Sequence, residues 1–272
     1  MGKLAIIGDI HGNREALKAA LSDIEERRCD RVVCLGDIIA KGSFGDACVS
    51  MVRETCDIVL RGNCEDYFMN DQQPRPITLQ ERARILARRA EISPENQRYL
   101  LSLPSCYELF VSGRLVRIFH AGPDTVYDYI HTMPNATLEE RKRMFLGGKL
   151  TASQETADVV VYGHIHTPMM TKMFNRTLIC AGSVGNNLDV IRDEEMDGAL
   201  LNTTCVNYTL IEGKLDSRER AGFAVSFVQV PYDVQGELEA SRDCNPDFDA
   251  LRMELSRGMY RDMEAIRQKT GK

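Results

Sequence analysis

The sequence predicts an α/β fold, and three observations predict it. The first 65 residues repeat one theme three times: an aliphatic or β-branched run, a glycine-containing polar turn, then an amphipathic stretch. Five separate strand-like runs end in turns bearing Asp, Asn or His. Short strand-like runs then continue through the second half without long helices between them, which reads as a meander.

Leu4 to Ile7 leads into Gly8-Asp9-Ile10-His11-Gly12-Asn13, and Ala16, Leu17, Ala20, Leu21 and Ile24 then share one helix face. Val32 to Leu35 leads into Gly36-Asp37, and Ile58 to Leu60 into Arg61-Gly62-Asn63-Cys64-Glu65. From Asp66 to about Pro104 the alternation stops. This helical, loop-rich stretch, about residues 66–105, is read as an insertion, with Arg82, Arg84, Arg88 and Arg89 clustered on it. Those arginines form either a cap over substrate phosphates or a solvated helix face.

Strands resume at Cys106 to Val111 and Leu115 to Phe119, the latter ending at His120-Ala121-Gly122. A helix from about Leu138 to Leu146 precedes Asp158 to Tyr162, which ends at Gly163-His164-Ile165-His166. Further strands are expected near Met169 to Met173, Leu178 to Cys180, Ala199 to Asn202, Asn207 to Ile211 and Ala224 to Val230. Residues 1–232 are read as one catalytic domain. Residues 233–272 are read as a helical extension, its last helix around Phe248 to Gln268 packing on the body or on a second subunit of a homo-oligomer.

Bulk properties exclude several classes. Of 272 residues, 43% are hydrophobic and 27% charged, as in ordinary folded soluble proteins. A formal net charge of −6 argues against a dedicated nucleic-acid surface and favours small or weakly anionic partners. No apolar run approaches the roughly 18 to 20 residues that span a bilayer, and the first residues enter a strand without a signal-peptide pattern. No membrane partner and a cytoplasmic location are expected. Nine cysteines lie scattered with no CxxC pair, so eight read as small apolar fillers in a reducing compartment. Cys64 stands apart because of its place in the third turn.

Parallel sheets place their loops at the carboxyl ends of strands, so the five polar turns can converge on one crevice. Their residues are Asp9 with His11, Asp37, Asn63, His120, and His164 with His166. Imidazole nitrogens and carboxylate oxygens suit hard or borderline divalent cations. A carboxylate has two oxygens and can bridge, and Asp37 is the choice for that work. Only five histidines exist, and four of them occupy these turns; His131 alone lies outside.

In order, the chain reads GDIHGN, GDIIAKG, RGNCED, FHAG and YGHIHTP between residues 8 and 168. This resembles the calcineurin-like metallophosphoesterases, with their GD-x-H, GD, GN-[HC]-[DE], H and GH-x-H blocks. The resemblance implies a two-sheet β-sandwich flanked by helices and two divalent metal ions, manganese first, with iron or zinc as alternatives. It implies that Asp9, His11, Asp37 and His166 hold one ion, and Asp37, Asn63, His120 and His164 the other. It further implies in-line attack on phosphorus by a hydroxide shared between the metals, with Asp37, Asn63 and His120 in the catalytic machinery.

The departures from relatives bear on substrate. Protein Ser/Thr phosphatases of this superfamily end the second block in aspartate-arginine-glycine and place histidine before the acid of the third. Here those places read Ala40-Lys41-Gly42 and Cys64. A thiol is a poorer proton donor to an alkoxide leaving group. The Cys-Glu-Asp block resembles small bacterial and archaeal phosphodiesterases and a branch with dinucleoside polyphosphate hydrolases. The expected function is therefore a phosphodiesterase or nucleotide hydrolase, with Arg61 as a phosphate contact and Cys64 shaping the pocket. A phosphomonoesterase or protein phosphatase, and a non-catalytic interaction scaffold, are the competing readings. The turn Ala181 to Asn186 is expected to shape the substrate wall.

Overall fold

Strand β1 (Gly2–Ile7) shows why the sandwich forms: Leu4 and Ile6 point into one apolar layer, Ala5 and Ile7 into another. A strand covered on both faces must be hydrophobic throughout, unlike one with a wet side. The computed structural model describes residues 1–70, 78–187 and 205–258.

In the first sheet β1 pairs in parallel with β2 (Arg31–Cys34), Leu4 opposite Arg31 and Ile7 opposite Cys34; β2 pairs in parallel with β3 (Ile58–Val59). On the other side of β1 lie β9 (Cys205–Gly213) and then β10 (Ala224–Pro231), both joined antiparallel. Helices α1 (Arg14–Glu26) and α2 (Gly45–Thr55) cover its outer face through Leu17, Ala20, Ile24, Val49 and Val52. Asn13 caps α1, its side chain accepting from the Ala16 amide at 3.1 Å.

The second sheet has the order β4 (Cys106–Val111), β5 (Arg114–Phe119), β6 (Val159–Tyr162), β8 (Arg176–Cys180), β7 (Met169–Met173). Leu109, Val116, Ile118, Val161 and Ile179 meet Leu4, Ile6, Val33 and Ile211 between the sheets. Helix α6 (Leu138–Lys142) continues into a 3₁₀ turn (Arg143–Phe145) whose Met144 and Phe145 help cover the outer face.

One expectation needs correction. The second half is not a meander: β5, β6 and β8 pair in parallel, and β9 returns to the first sheet beside β1. Short connections hid this, because β6 reaches β8 through the β7 edge strand instead of a long helix. The expected strand Ala199 to Asn202 lies outside the described residues.

The stretch read as an insertion, about residues 66–105, follows the start of α3 (Asn63–Met69) and holds α4 (Leu79–Ala90) and α5 (Pro94–Ser102), and it joins the first sheet's outer core through Ile85, Ile92 and Leu100. Arg89 donates to the carbonyls of Phe68 and Asn70, and Arg88 pairs with Glu91 and Asp247. These two arginines tie helices together; Arg82 and Arg84 are exposed on α4.

Past β10, α7 (Val234–Ser241) and α8 (Phe248–Arg257) form a small cluster of Leu238, Leu251 and Leu255. The rest of the helix expected to reach Gln268 lies outside the described residues. Among the described residues, no helix is long and apolar enough to cross a membrane.

Candidate metal centre

The polar turns sit at the carboxyl ends of β1, β2, β3, β5 and β6, so both sheets contribute to one crevice. Backbone hydrogen bonds lock the first two turns together: Ile10 and His11 amides donate to the Asp37 carbonyl, each at 2.8 Å. Asp9, His11, Asp37, His164 and His166 all have φ between 49° and 71°. Side chains rarely adopt this left-handed region, and residues held there cluster at functional sites. Gly36, at φ 95°, has no alternative, because a Cβ there would lie 2.2 Å from the Gly62 nitrogen. That close approach brings the Asp37 and Asn63 turns side by side.

His11 Nε2 and His166 Nε2 lie 3.1 Å apart, with Asp9 Oδ1 at 4.0 and 3.5 Å from them. His166 Nδ1 stands 2.5 Å from the Asn186 carbonyl, which can only accept, so the ring proton is on Nδ1 and Nε2 presents a lone pair. Burial holds His166 down to about 3 and His11 well below its ordinary value, with the Lys41 charge acting in the same direction. Both imidazoles are therefore neutral. The amide of His164 fixes Asp9 Oδ2 at 2.9 Å, while Asp9 Oδ1 is buried with no hydrogen-bond partner among the described residues. Burial, then the neighbouring Asp37, pushes the Asp9 carboxyl well up. The His166 lone pair, the neutral His11 ring and an orphaned carboxylate oxygen beside them fit a divalent cation.

A second set lies on the other side of Asp37. Asn63 Oδ1 is 2.9 Å from His120 Nε2 and 2.8 Å from His164 Nδ1. His120 is oriented by the Leu35 carbonyl, 3.1 Å from its Nδ1, as ligating histidines usually are by a group behind them. Asp37 faces both sets: Oδ2 is 3.8 Å from His11 Nε2, and Oδ1 is 3.5 Å from His120 Nε2. Asp9, His11 and His166 form one group that could hold a metal, and Asp9, Asp37 and His120 another. All seven residues singled out as ligands thus converge. His131 stays apart, paired with Asp128 at 2.7 Å.

Cys64 is at the centre of this arrangement. Its amide donates to Asp37 Oδ1 at 2.7 Å and its thiol to Asp37 Oδ2 at 3.2 Å, and Sγ is 4.0 Å from His11 Nδ1. Burial, then the Asp37 charge, pushes this thiol well up, so it is a protonated donor at neutral pH. Arg61 is occupied differently from its expected phosphate contact. Its guanidinium donates to the Leu101 and Leu103 carbonyls and lies 3.8 Å from Asp66, tying β3 to the end of α5.

Sequence reasoning missed the work of three residues. Glu65, 1% exposed, accepts from the amides of Asp37, Ile38 and Gly62 at 2.8 Å each and Ile39 at 3.4 Å, stapling the second turn to the third. Its place in the Cys-Glu-Asp block was the available signal. Asn186 belongs to the turn expected to shape the substrate wall, not to hold a ligand, and Glu254 carried no signal. The turn Ala181 to Asn186 lies behind the ligands: Ser183 Oγ donates to the Asp9 carbonyl at 2.7 Å, and Asn186 receives His166.

The family model described as the calcineurin-like phosphoesterase superfamily domain matches residues 3–204. An uncharacterized protein of Methanocaldococcus jannaschii is 25% identical over 239 residues, covering 87% of this chain and 90% of that protein. Among solved structures, a metallophosphoesterase from Sphaerobacter thermophilus superposes with a TM-score of 0.68 at 20% identity, covering 95% of this chain and 99% of that one. A hypothetical protein from Pyrococcus horikoshii gives 0.69 at 16% identity, covering 96% and 100%. These two share the fold. With the matched domain spanning every turn that lines the crevice, the chain belongs to the calcineurin-like phosphoesterase superfamily and its chemistry is that of a metal-dependent phosphoric ester hydrolase.

Proposed function

We propose that this chain is a two-metal phosphodiesterase or nucleotide pyrophosphohydrolase acting on a small molecule. The observation that carries the reading is Asp37, whose two carboxylate oxygens face two different imidazole sets, Oδ2 toward His11 and Oδ1 toward His120. Asp9, His11, Asp37 and His166 would hold one cation, and Asp37, Asn63, His120 and His164 the other. Divalent cations bound there activate water as a nucleophile and offset charge on the phosphoryl oxygens.

The protein's own groups do the rest. Asn63 supplies a neutral oxygen, so two carboxylates against two cations leave a net positive crevice that attracts phosphate. Glu65 holds the Asp37 backbone amide, and the Cys64 amide and thiol hold the two carboxylate oxygens, which keeps them divided between the sets. The Tyr129 ring packs 4.4 Å from the His164 ring and limits how that imidazole can turn.

Cys64 supports the diester over the monoester. Its raised thiol lies against Asp37, where it is a weak proton donor to a leaving alkoxide. A diester or phosphoanhydride with a better leaving group depends less on that proton. Manganese is the first metal to test, and a reducing, cytoplasmic setting fits nine cysteines without framework spacing.

The test is turnover of bis(p-nitrophenyl) phosphate against p-nitrophenyl phosphate by manganese-loaded protein, followed by a screen of nucleotides, cyclic nucleotides and dinucleoside polyphosphates. A strong monoester preference overturns the diester reading. Protein that binds no metal and cleaves neither ester points instead to an interaction scaffold.

A further inference from the structure

The family match ends at residue 204, yet the crevice is buttressed by residues well beyond it. Glu254, on α8, is 1% exposed, and its Oε2 accepts from Asn186 Nδ2 at 3.1 Å. The Asn186 carbonyl receives His166 Nδ1, and the Asn186 amide donates to Ser183 Oγ at 2.9 Å, which in turn donates to the Asp9 carbonyl. Glu254 Oε1 lies 3.9 Å from Lys41 Nζ. Asn245, just ahead of α8, donates from Nδ2 to the Lys41 carbonyl at 2.8 Å and to Ser43 Oγ at 3.2 Å. The loop so held contains Ala40 and Lys41 at φ 74° and 57°, a conformation neither residue favours.

We infer that the C-terminal extension completes the metal crevice, with Glu254 as a positioning residue that holds Asn186 and Lys41 and, through the Asn186 carbonyl, aims His166. The assignment rests on His166 being a ligand, as proposed above. A carboxylate buried this deeply is expensive to desolvate, and the groups facing it include an amide and an ammonium that both border the candidate ligands. Its removal frees the Asn186 side chain and so loosens the carbonyl that sets the His166 tautomer and ring angle. Groups placed behind a metal ligand typically change metal affinity by roughly 10- to 100-fold when lost.

The experiment measures manganese affinity and stoichiometry of the full chain by chelator competition, with thermal melting alongside, for wild type, Glu254→Leu, Glu254→Gln, Asn186→Ala and the double variant Glu254→Leu/Asn186→Ala. Glu254→Leu is expected to weaken one manganese site about tenfold or more, and Glu254→Gln, which keeps an oxygen for Asn186, to retain most of it. Asn186→Ala should match Glu254→Leu, with the double variant no worse than either, because both cut one chain of contacts. Affinity within twofold of wild type in the folded variants, or additive losses in the double variant, overturns the inference. Should Glu254→Leu fail to fold, Asn186→Ala alone decides by the same twofold limit. A wild-type protein that binds no manganese is a separate failure, that of the two-metal reading itself.

Discussion

His11 Nε2 and His166 Nε2 face each other at 3.1 Å, with both imidazoles neutral. The His166 lone pair there can meet either a proton on His11 Nε2 or, with both lone pairs free, a cation lying between the rings. Manganese should therefore raise the melting temperature, and a chelator should lower it. Binding stabilises by about 2.7 kcal/mol at a hundred times the dissociation constant. Calorimetry with and without EDTA checks this, and a melting point indifferent to metal would contradict it.

Asp37 is the residue that both imidazole sets share. Asp37→Ala should reduce turnover of bis(p-nitrophenyl) phosphate by roughly a thousandfold or more, well beyond the roughly 10- to 100-fold typical of a group behind a ligand. Metal content should fall as well. Unchanged metal content with retained turnover would remove Asp37 from the bridging position.

Cys64→His places a stronger proton donor against the same carboxylate. It should raise monoester relative to diester hydrolysis by about tenfold or more, within the range of general acid catalysis. The two p-nitrophenyl esters read the ratio directly. If it does not move, the thiol is packing.

Glu65→Gln leaves one acceptor oxygen where two took four backbone amides, and turns an N–H toward donors. The expected loss is about 2–4 kcal/mol of stability, measured by urea unfolding. Burial, then the Asp37 charge, pushes the Glu65 carboxyl up to about 7. A loss below about 0.5 kcal/mol would show that the turns hold without it.

Glu237 provides a pH prediction away from the crevice. It is fully buried on α7, accepts from the Glu15 amide, and burial pushes its carboxyl up to about 7. Its unfolded value is about 4.3, so between those pH values the folded protein holds more protons. Stability then falls as pH rises through that window. Glu237→Gln removes this dependence, so the variant should gain about 1–3 kcal/mol on wild type between pH 4.5 and pH 8. Melting curves of both proteins at the two pH values check it; a pH-independent difference refutes it.

Much of the site was legible in advance because chemistry-bearing residues sit at strand ends, where local pattern marks them. Asp9, His11, Asp37, Asn63, His120, His164 and His166 each lie in a glycine-containing turn after an aliphatic run. The parallel order of β5, β6 and β8 was not legible, since the intervening hairpin looks the same in a meander. Nor was the use of Arg61, whose partners are carbonyls some 40 residues away on α5.

The sequence by itself determined the family, the ligand types and their order along the chain, because hydrophobic period and turn chemistry are local properties. Only the tertiary structure decided which imidazoles share Asp37, that Glu65 staples two turns, and that Glu254 reaches Asn186 from the far end of the chain. Those contacts join Asp37 to His120 across the two sheets, Glu65 to the second turn across 26 to 28 positions, and Asn186 to Glu254 across 68. Such pairings leave no periodic trace in sequence; they arise from two sheets packing their strand ends onto one crevice.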